Sequence, residues 1–213
     1  MRSISQSLLW LMVIALSVIF VFANSGFDFD YIIPKRLARL AAMVIGGVCI
    51  AWSSITFQTI TGNRILTPAT MGYEAVYLLL QALLILVMGT HSLIALNASG
   101  NFVLSVLVML CYAWLLQRTL FRGGRHVYFT LLLGLVLTVV ISTFTQYIQL
   151  KISPGEFSVL LGFSQASFNQ IAPAQLFYSA LLVTLICLVS LKALPTLDVI
   201  SLGHDQAISL GVD

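Results

Sequence analysis

The chain has 213 residues, of which 60% are hydrophobic and only 8% are charged, and its mean hydropathy is +1.04. This composition excludes a soluble globular domain and indicates an integral membrane protein. The formal net charge of +3 is too small to indicate a nucleic-acid partner. The placement of the charges along the chain is therefore more informative than their sum.

Apolar runs recur along the chain and predict an all-α, polytopic bundle of transmembrane helices. The first run follows Arg2 and could instead be a signal peptide, but residues 23–26 form a weak cleavage site and further apolar runs follow at once. The second run has about 25 residues, which at a rise of 1.5 Å each cross a hydrocarbon core with some tilt. About six spans are predicted, at residues 8–23, 37–61, 73–88, 102–120, 128–150 and 174–194.

The basic residues of the loops predict a cytoplasmic N-terminus, because cytoplasmic loops carry the excess of Lys and Arg. This orientation places six of the basic residues inside: Arg2, Arg64, Arg118, Arg122, Arg125 and Lys192. Lys35, Arg36, Arg39 and Lys151 then lie outside, which breaks the rule. The cluster at residues 35–39 indicates either a function for its positive charge or side chains that snorkel at the membrane interface.

Uncharged polar residues interrupt two of the predicted spans. Thr138, Ser142, Thr145 and Gln149 are spaced four, three and four residues apart, so they share one face of the fifth helix. Polar residues also end the second helix, among them Ser53 and Thr56, and such groups need partners or water inside a membrane. We assign these six residues to a translocation pathway; hydrogen bonding between helices is the alternative.

The connections between the spans carry three further predictions. A polar loop is expected through His91, Asn97 and Asn101, and a short helix at residues 157–162 is expected at the outer surface. The segment 197–213 is expected to form two short cytoplasmic helices, each ended by a left-handed glycine, with Asp205 as the cap of the second helix. Such helices could project as a docking surface, and a frayed terminus is the alternative.

The sequence favours transport powered from outside the chain over catalysis. The middle of every predicted span lacks Asp, Glu, Lys and Arg, whereas ion-driven carriers hold coordinating groups there. No G-x-x-x-x-G-K-[ST] loop is present, so an ATPase would be a separate subunit. The three histidines lie outside any H-E-x-x-H or G-x-S-x-G context, and an intramembrane enzyme remains the less favoured alternative. No cofactor or metal site is predicted, since the three cysteines fall separately within apolar runs.

Three spaced segments resemble those of one family. Residues 36–39, R-L-A-R, are similar to its R-x-P-R pattern, with Ala38 in place of proline. Residues 63–72, N-R-I-L-T-P-A-T-M-G, share the Asn, Pro and Gly of its turn. Residues 197–212 are similar to its L-D-x-x-x-L-G-x-x-x-A-x-x-L-G-V segment. The chain resembles the FecCD-type permeases, membrane subunits of bacterial ABC importers for iron-siderophores and vitamin B12, and its turn resembles the catecholate-siderophore branch.

The resemblance implies roles for particular residues. Arg36 and Arg39 would meet glutamates of a periplasmic substrate-binding protein. An ABC ATPase subunit would receive the coupling segment, residues 197–213, with its matched residues Asp198, Leu202, Gly203, Ala207, Leu210 and Gly211. A second permease subunit, identical or not, and a location in the bacterial inner membrane are also implied. Family members continue through further helices, so a truncated, non-transporting fragment is a second alternative.

Overall fold

The computed structural model of the protein describes residues 2–23, 28–64, 67–95, 97–120, 127–165, 167–168, 171 and 173–211. Arg122, Arg125 and His126 lie outside these residues. Within the described ranges, every regular element is helical, which confirms the predicted all-α class. The helices are α1 Arg2–Phe22, α2 Ile32–Thr61, α3 Tyr73–Ala95, α4 Asn97–Leu120, α5 Val127–Gln149, α6 Pro154–Ser164, α7 Pro173–Leu191, α8 Leu194–Ile200 and α9 His204–Ser209, with a 3₁₀ turn at Pro68–Met71.

Each predicted span coincides with one long helix: α1, α2, α3, α4, α5 or α7. Among the described residues, four stretches are both long and apolar enough to cross a bilayer: Ile32–Thr61, Ser99–Arg118, Leu132–Gln149 and Pro173–Leu191. The apolar parts of α1 and α3, Gln6–Phe22 and Tyr73–Gly89, are shorter. The chain is therefore a multi-pass membrane protein.

The predicted polar loop at residues 91–101 is wrong. α3 continues to Ala95 and α4 begins at Asn97. The helical conformation is interrupted earlier, by a kink at Gly89 inside α3, where φ is 70° and ψ is 177°. A side chain is strongly disfavoured in this conformation, so glycine is the residue that allows α3 to bend there.

The chain divides into two compact units. The first unit comprises Met1–Ile50 and Ser167–Ile186. In this unit the Asp28 carboxylate accepts hydrogen bonds from the backbone N–H groups of Asp30 and Tyr31, both at 3.1 Å. These bonds form an Asx-type turn that leads the chain into α2.

The second unit comprises Ala51–Ala166 and Cys187–Asp213. In this unit α3 packs against α4, α5 and α6. One apolar cluster joins α3 to the end of α5 and to α6, through Ala82, Ile85, Ile148, Ile152 and Leu160. A second cluster is built on Met71 and Leu116 and holds the 3₁₀ turn against α4. The first cluster holds the end of α5 against α3 and α6, and the second holds the 3₁₀ turn in place. Candidate functional residues lie beside both clusters.

α6 confirms the short helix predicted at residues 157–162 and is longer than predicted. Its start is set by a capping box: Ser153 Oγ accepts from the Glu156 backbone N–H at 3.5 Å, and Glu156 Oε2 accepts from the Ser153 hydroxyl at 2.8 Å and backbone N–H at 3.4 Å. Pro154 follows the cap, where a missing N–H costs nothing. The position of α6 at the outer surface stays a prediction.

The two short helices predicted near the C-terminus are present as α8 and α9, but their caps differ from the prediction. Gly203 does not end α8 in the left-handed conformation; it has φ 110° and ψ 156° and is the N-cap of α9. Asp205 consequently lies one residue inside α9 and is not its cap. Gly211, with φ 82°, follows the end of α9 as expected. The sequence pattern predicted the position of the bend correctly. It assigned Gly203 to the end of the first short helix, whereas Gly203 precedes the second one.

Candidate functional site

Arg36 and Arg39, predicted to dock a binding protein, lie partly buried in the first turns of α2. The guanidinium of Arg36 donates from Nη1 to the carbonyl oxygens of Phe20 at 3.1 Å and Val21 at 3.3 Å, and also to that of Ala23. These carbonyls belong to the last turn of α1 and its end, where helical partners run out and a cation is favoured. Arg36 therefore ties the end of α1 to α2, and docking stays a prediction for both arginines.

Residues 67–72 of the predicted turn lie against α4 and α5. The hydroxyl of Tyr112 on α4 donates to the Met71 carbonyl at 2.7 Å, and its ring meets that of Tyr73 edge to face at 5.3 Å. Gly72 has φ 82°, and a Cβ there would lie 2.8 Å from the Thr138 hydroxyl. Both the backbone conformation and the space therefore require glycine at this position. The glycine that ends this family-like turn thus has a structural reason in this chain.

The predicted stripe on α5 faces the protein at two of its four positions. Thr138 donates to the Gly134 carbonyl at 2.8 Å and lies 3.4 Å from the Thr70 carbonyl, against the turn. Thr145 is 4% exposed and donates to Ile141 at 2.9 Å. Ser142 and Gln149 are partly buried. On α2, Ser53 is exposed and Thr56 is partly buried. Within this chain Thr138 and Thr145 pack against protein, and the pathway role of all six residues stays a prediction.

An adjacent face of α5 borders an open pocket of about 670 Å³. The pocket lies between the C-terminal end of α5 and the start of α6. Its lining includes Thr143, Gln146, Tyr147 and Gln149 from α5, and Pro154 and Phe157 from α6. Gln149 is the member of the predicted stripe that reaches it. Sequence reasoning missed Thr143, Gln146 and Tyr147, although their three- and four-residue spacing from one another and from Leu150 was available as a signal.

The coupling segment presents apolar side chains in helices too short to span a membrane. α8 and α9 pack against each other. Ala207 is buried, whereas Leu202, Ile208 and Leu210 are 56%, 48% and 61% exposed. Asp198 is exposed on α8, and its carbonyl accepts from the Ser201 hydroxyl at 2.6 Å. Of the six predicted coupling residues, Ala207 is therefore buried, whereas Asp198, Leu202 and Leu210 are exposed.

A polar cluster between α3 and α4 was not anticipated from the sequence. Gln81 is 0% exposed, and its amide exchanges two hydrogen bonds with Asn101, each of 3.3 Å. Ser105 accepts a third bond from Gln81, at 3.2 Å. The cluster leaves no obvious capacity to bind a ligand, because the amides pair with each other. It joins two helices inside an otherwise apolar environment.

Comparisons with known proteins agree with the sequence resemblance. The model of the FecCD transport family matches residues 3–213. The petrobactin import system permease protein YclO of Bacillus subtilis (strain 168) is 36% identical over 196 residues, which are 92% of this chain and 62% of that protein. The petrobactin import system permease protein FatC of Bacillus anthracis is 30% identical over 189 residues, 87% of this chain and 52% of that protein. The chain thus spans between about half and two thirds of these two curated relatives.

A solved structure supports the same fold. It is described as an inward-facing conformation of a proposed metal-chelate type ABC transporter, and it matches with a TM-score of 0.79. The match covers 100% of this chain and 67% of that chain at 19% sequence identity, so the likeness concerns the fold alone. Because the family match extends over residues 3–213, the chain belongs to the FecCD transport family.

Proposed function

We propose that the chain acts as a permease subunit of an ABC importer in the bacterial cytoplasmic (inner) membrane. It passes an iron-siderophore complex from a periplasmic substrate-binding protein towards the cytoplasm. ATP hydrolysis on a separate subunit supplies the energy, and a second permease subunit, identical or not, completes the pathway. Membership in a transport family supports this proposal over an intramembrane enzyme. The substrate class is supported by two relatives, whose names describe petrobactin import.

The exposed apolar surface of the α8–α9 pair is the structural observation that best supports the proposal. A free tail gains nothing from exposing Leu202, Ile208 and Leu210, since each apolar side chain costs free energy in water. Burying them against a partner recovers about 25 cal/mol per Å², from which the costs of association are subtracted. The pair follows α7 directly and is too short to cross the membrane. A groove on a cytoplasmic ATPase would cover these side chains. Movement of the ATPase would then move α8 and α9, and with them the membrane helices.

Purification of the tagged chain from its own membrane tests the proposed assembly. An ABC ATPase should co-purify with the wild-type chain and be lost with Leu210→Asp, which places a charge at the centre of the proposed contact. Leu161→Asp is the matched control, because Leu161 is also exposed but lies on α6. Its ATPase content should equal that of the wild type. A wild-type chain that inserts and yet carries no ATPase would contradict the proposal.

A further inference from the structure

α5 has a second polar face that the pathway assignment did not use. Thr143, Gln146 and Tyr147 are exposed, whereas Thr145 is buried and Thr138 lies against the 63–72 turn. The exposed face is the one that borders the pocket of about 670 Å³. Pockets of roughly 300–1,000 Å³ are typical of sites for small molecules. A cargo in contact with α5 therefore meets this face before it meets Thr145.

The pocket combines aromatic rings, side-chain amides and one nearby cation. Tyr147 contributes a ring that is 57% exposed, and Phe157 faces the pocket from α6. The ammonium group of Lys151 lies 5.9 Å from the centroid of the Tyr147 ring. Gln146 and Gln149 add amide donors and acceptors. The rings offer surfaces for stacking, and the ammonium lies beside one of them.

Two charged residues flank the pocket along the chain, Lys151 and Glu156. Its lining residues include no acid in the described part of the chain. The nearest acid in sequence, Glu156, directs Oε2 to the Ser153 cap and has Oε1 beside Gly89 on α3. The Glu156 carboxylate is thus held by the cap of α6, and Lys151 is the charged group that lies beside the Tyr147 ring. The pocket is complementary to a ligand that is both aromatic and anionic.

We propose that this pocket is a resting place for the cargo, in which Tyr147 stacks on an anionic aromatic group and Lys151 attracts its charge. The proposal rests on the proposed function for the identity of the cargo, and it deepens that function by naming two specificity residues. An iron complex with aromatic, anionic arms is preferred over a neutral complex without rings. Tyr147 supplies contact area, and the ammonium supplies the charge.

Equilibrium binding to the purified chain in lipid nanodiscs tests this preference. The two probes are the ferric complex of a synthetic tris-catecholate chelator, which is anionic and aromatic, and ferric tris-acetohydroxamate, which is neutral and has no ring. The tris-catecholate complex should bind at least about tenfold more tightly. Lys151→Gln should weaken its binding by about fivefold. Tyr147→Leu should weaken it by about tenfold.

Two matched variants separate the pocket from general effects of charge or hydrophobicity. Lys192→Gln removes an exposed charge beyond the end of α7, and Phe177→Leu removes an exposed ring of α7 that does not line the pocket. Both should bind the tris-catecholate complex as the wild type does. Equal binding of the two probes, binding of neither, or wild-type binding by the Lys151 and Tyr147 variants would overturn the inference.

ATP-driven uptake in the assembled importer distinguishes this inference from the proposed function. Uptake by the wild type together with unaltered binding in the Lys151 and Tyr147 variants would refute the pocket and leave the importer standing. The opposite result is binding that depends on Lys151 and Tyr147, without any ATP-driven uptake. It would refute the importer and support the pocket.

Discussion

Gln81 and Asn101 exchange two hydrogen bonds of 3.3 Å each across the boundary between α3 and α4. Hydrogen bonds between membrane helices contribute about 0.6 kcal/mol on average, but a buried polar group left without its partner costs about 1–3 kcal/mol. The single change Asn101→Leu leaves the buried Gln81 amide without this partner and should therefore lower the free energy of unfolding by about 1–3 kcal/mol. The double change of both residues to Leu should destabilise the chain less than the single change. Thermal unfolding in a mild detergent measures both, and strictly additive losses would contradict the pairing.

The bond from Tyr112 to Met71 predicts a second loss of stability. Tyr112→Phe keeps the ring and removes only the hydroxyl, so it should cost about 1 kcal/mol. Gly72→Ala should cost more, because its Cβ would lie 2.8 Å from the Thr138 hydroxyl at a backbone φ of 82°. Gly47→Ala is the control, since a Cβ there meets no atom within 4 Å and a helical alanine should not lower stability. Equal melting temperatures for the Gly72 and Gly47 variants would show that the turn is not seated as described.

Arg36 should serve stability and docking together. Arg36→Ala removes the donor to the carbonyls of Phe20, Val21 and Ala23, and should destabilise the end of α1 by about 1 kcal/mol. Lys35→Ala is the control, because Lys35 is exposed and its ammonium contacts only Tyr31 among the described partners, at 3.2 Å. Hydrogen exchange at residues 19–23 should rise for Arg36→Ala and stay unchanged for Lys35→Ala. Unchanged exchange in both variants would remove the capping role.

The docking role of the arginines is tested separately by charge reversal. Exposed ion pairs contribute about 0.2–1 kcal/mol each, so Arg36→Glu with Arg39→Glu should mainly slow the encounter with an acidic binding protein. Binding of that protein should weaken, and its residual affinity should depend less on salt. Binding kinetics at two salt concentrations measure both effects. An association rate that the reversal leaves unaltered at low salt would assign the pair to the membrane interface alone.

The predicted orientation can be tested at residues that the structure describes as exposed. In a chain freed of Cys49, Cys111 and Cys187, a cysteine at position 151 should react with a membrane-impermeant reagent added from outside. A cysteine at position 118 should react only after the membrane is opened, because Arg118 ends α4 on the predicted cytoplasmic side. Labelling of position 118 in intact cells would reverse the topology.

The helices could be predicted from the sequence because an apolar run of spanning length satisfies its backbone polar groups inside a membrane only as a helix. The pairing between helices could not. The polar side chain of Asn101 predicts a loop residue, yet its partner Gln81 lies twenty residues earlier and no local pattern links them. The charge pattern of the loops predicts that Arg36 lies outside or at the membrane interface, whereas the carbonyls it bonds lie 13 to 16 residues before it. The face of α5 that meets the pocket also depends on the position of α6, which periodicity alone does not give. Local spacing thus predicted the candidate segments. Tertiary packing determines which of their side chains stay exposed and can contact a ligand or partner.

In the proposed importer, the α8–α9 pair couples this chain to an ATPase. Uptake of radioactive iron-siderophore into proteoliposomes that contain all permease subunits, the ATPase and the binding protein tests it most directly. Leu210→Asp should abolish ATP-dependent uptake while the binding protein still docks, and Gly203→Val should do the same because valine is strained at φ 110°. Leu161→Asp should retain the ATPase as the wild type does. Wild-type uptake with both Leu210→Asp and Gly203→Val would show that the α8–α9 pair does not couple transport to the ATPase.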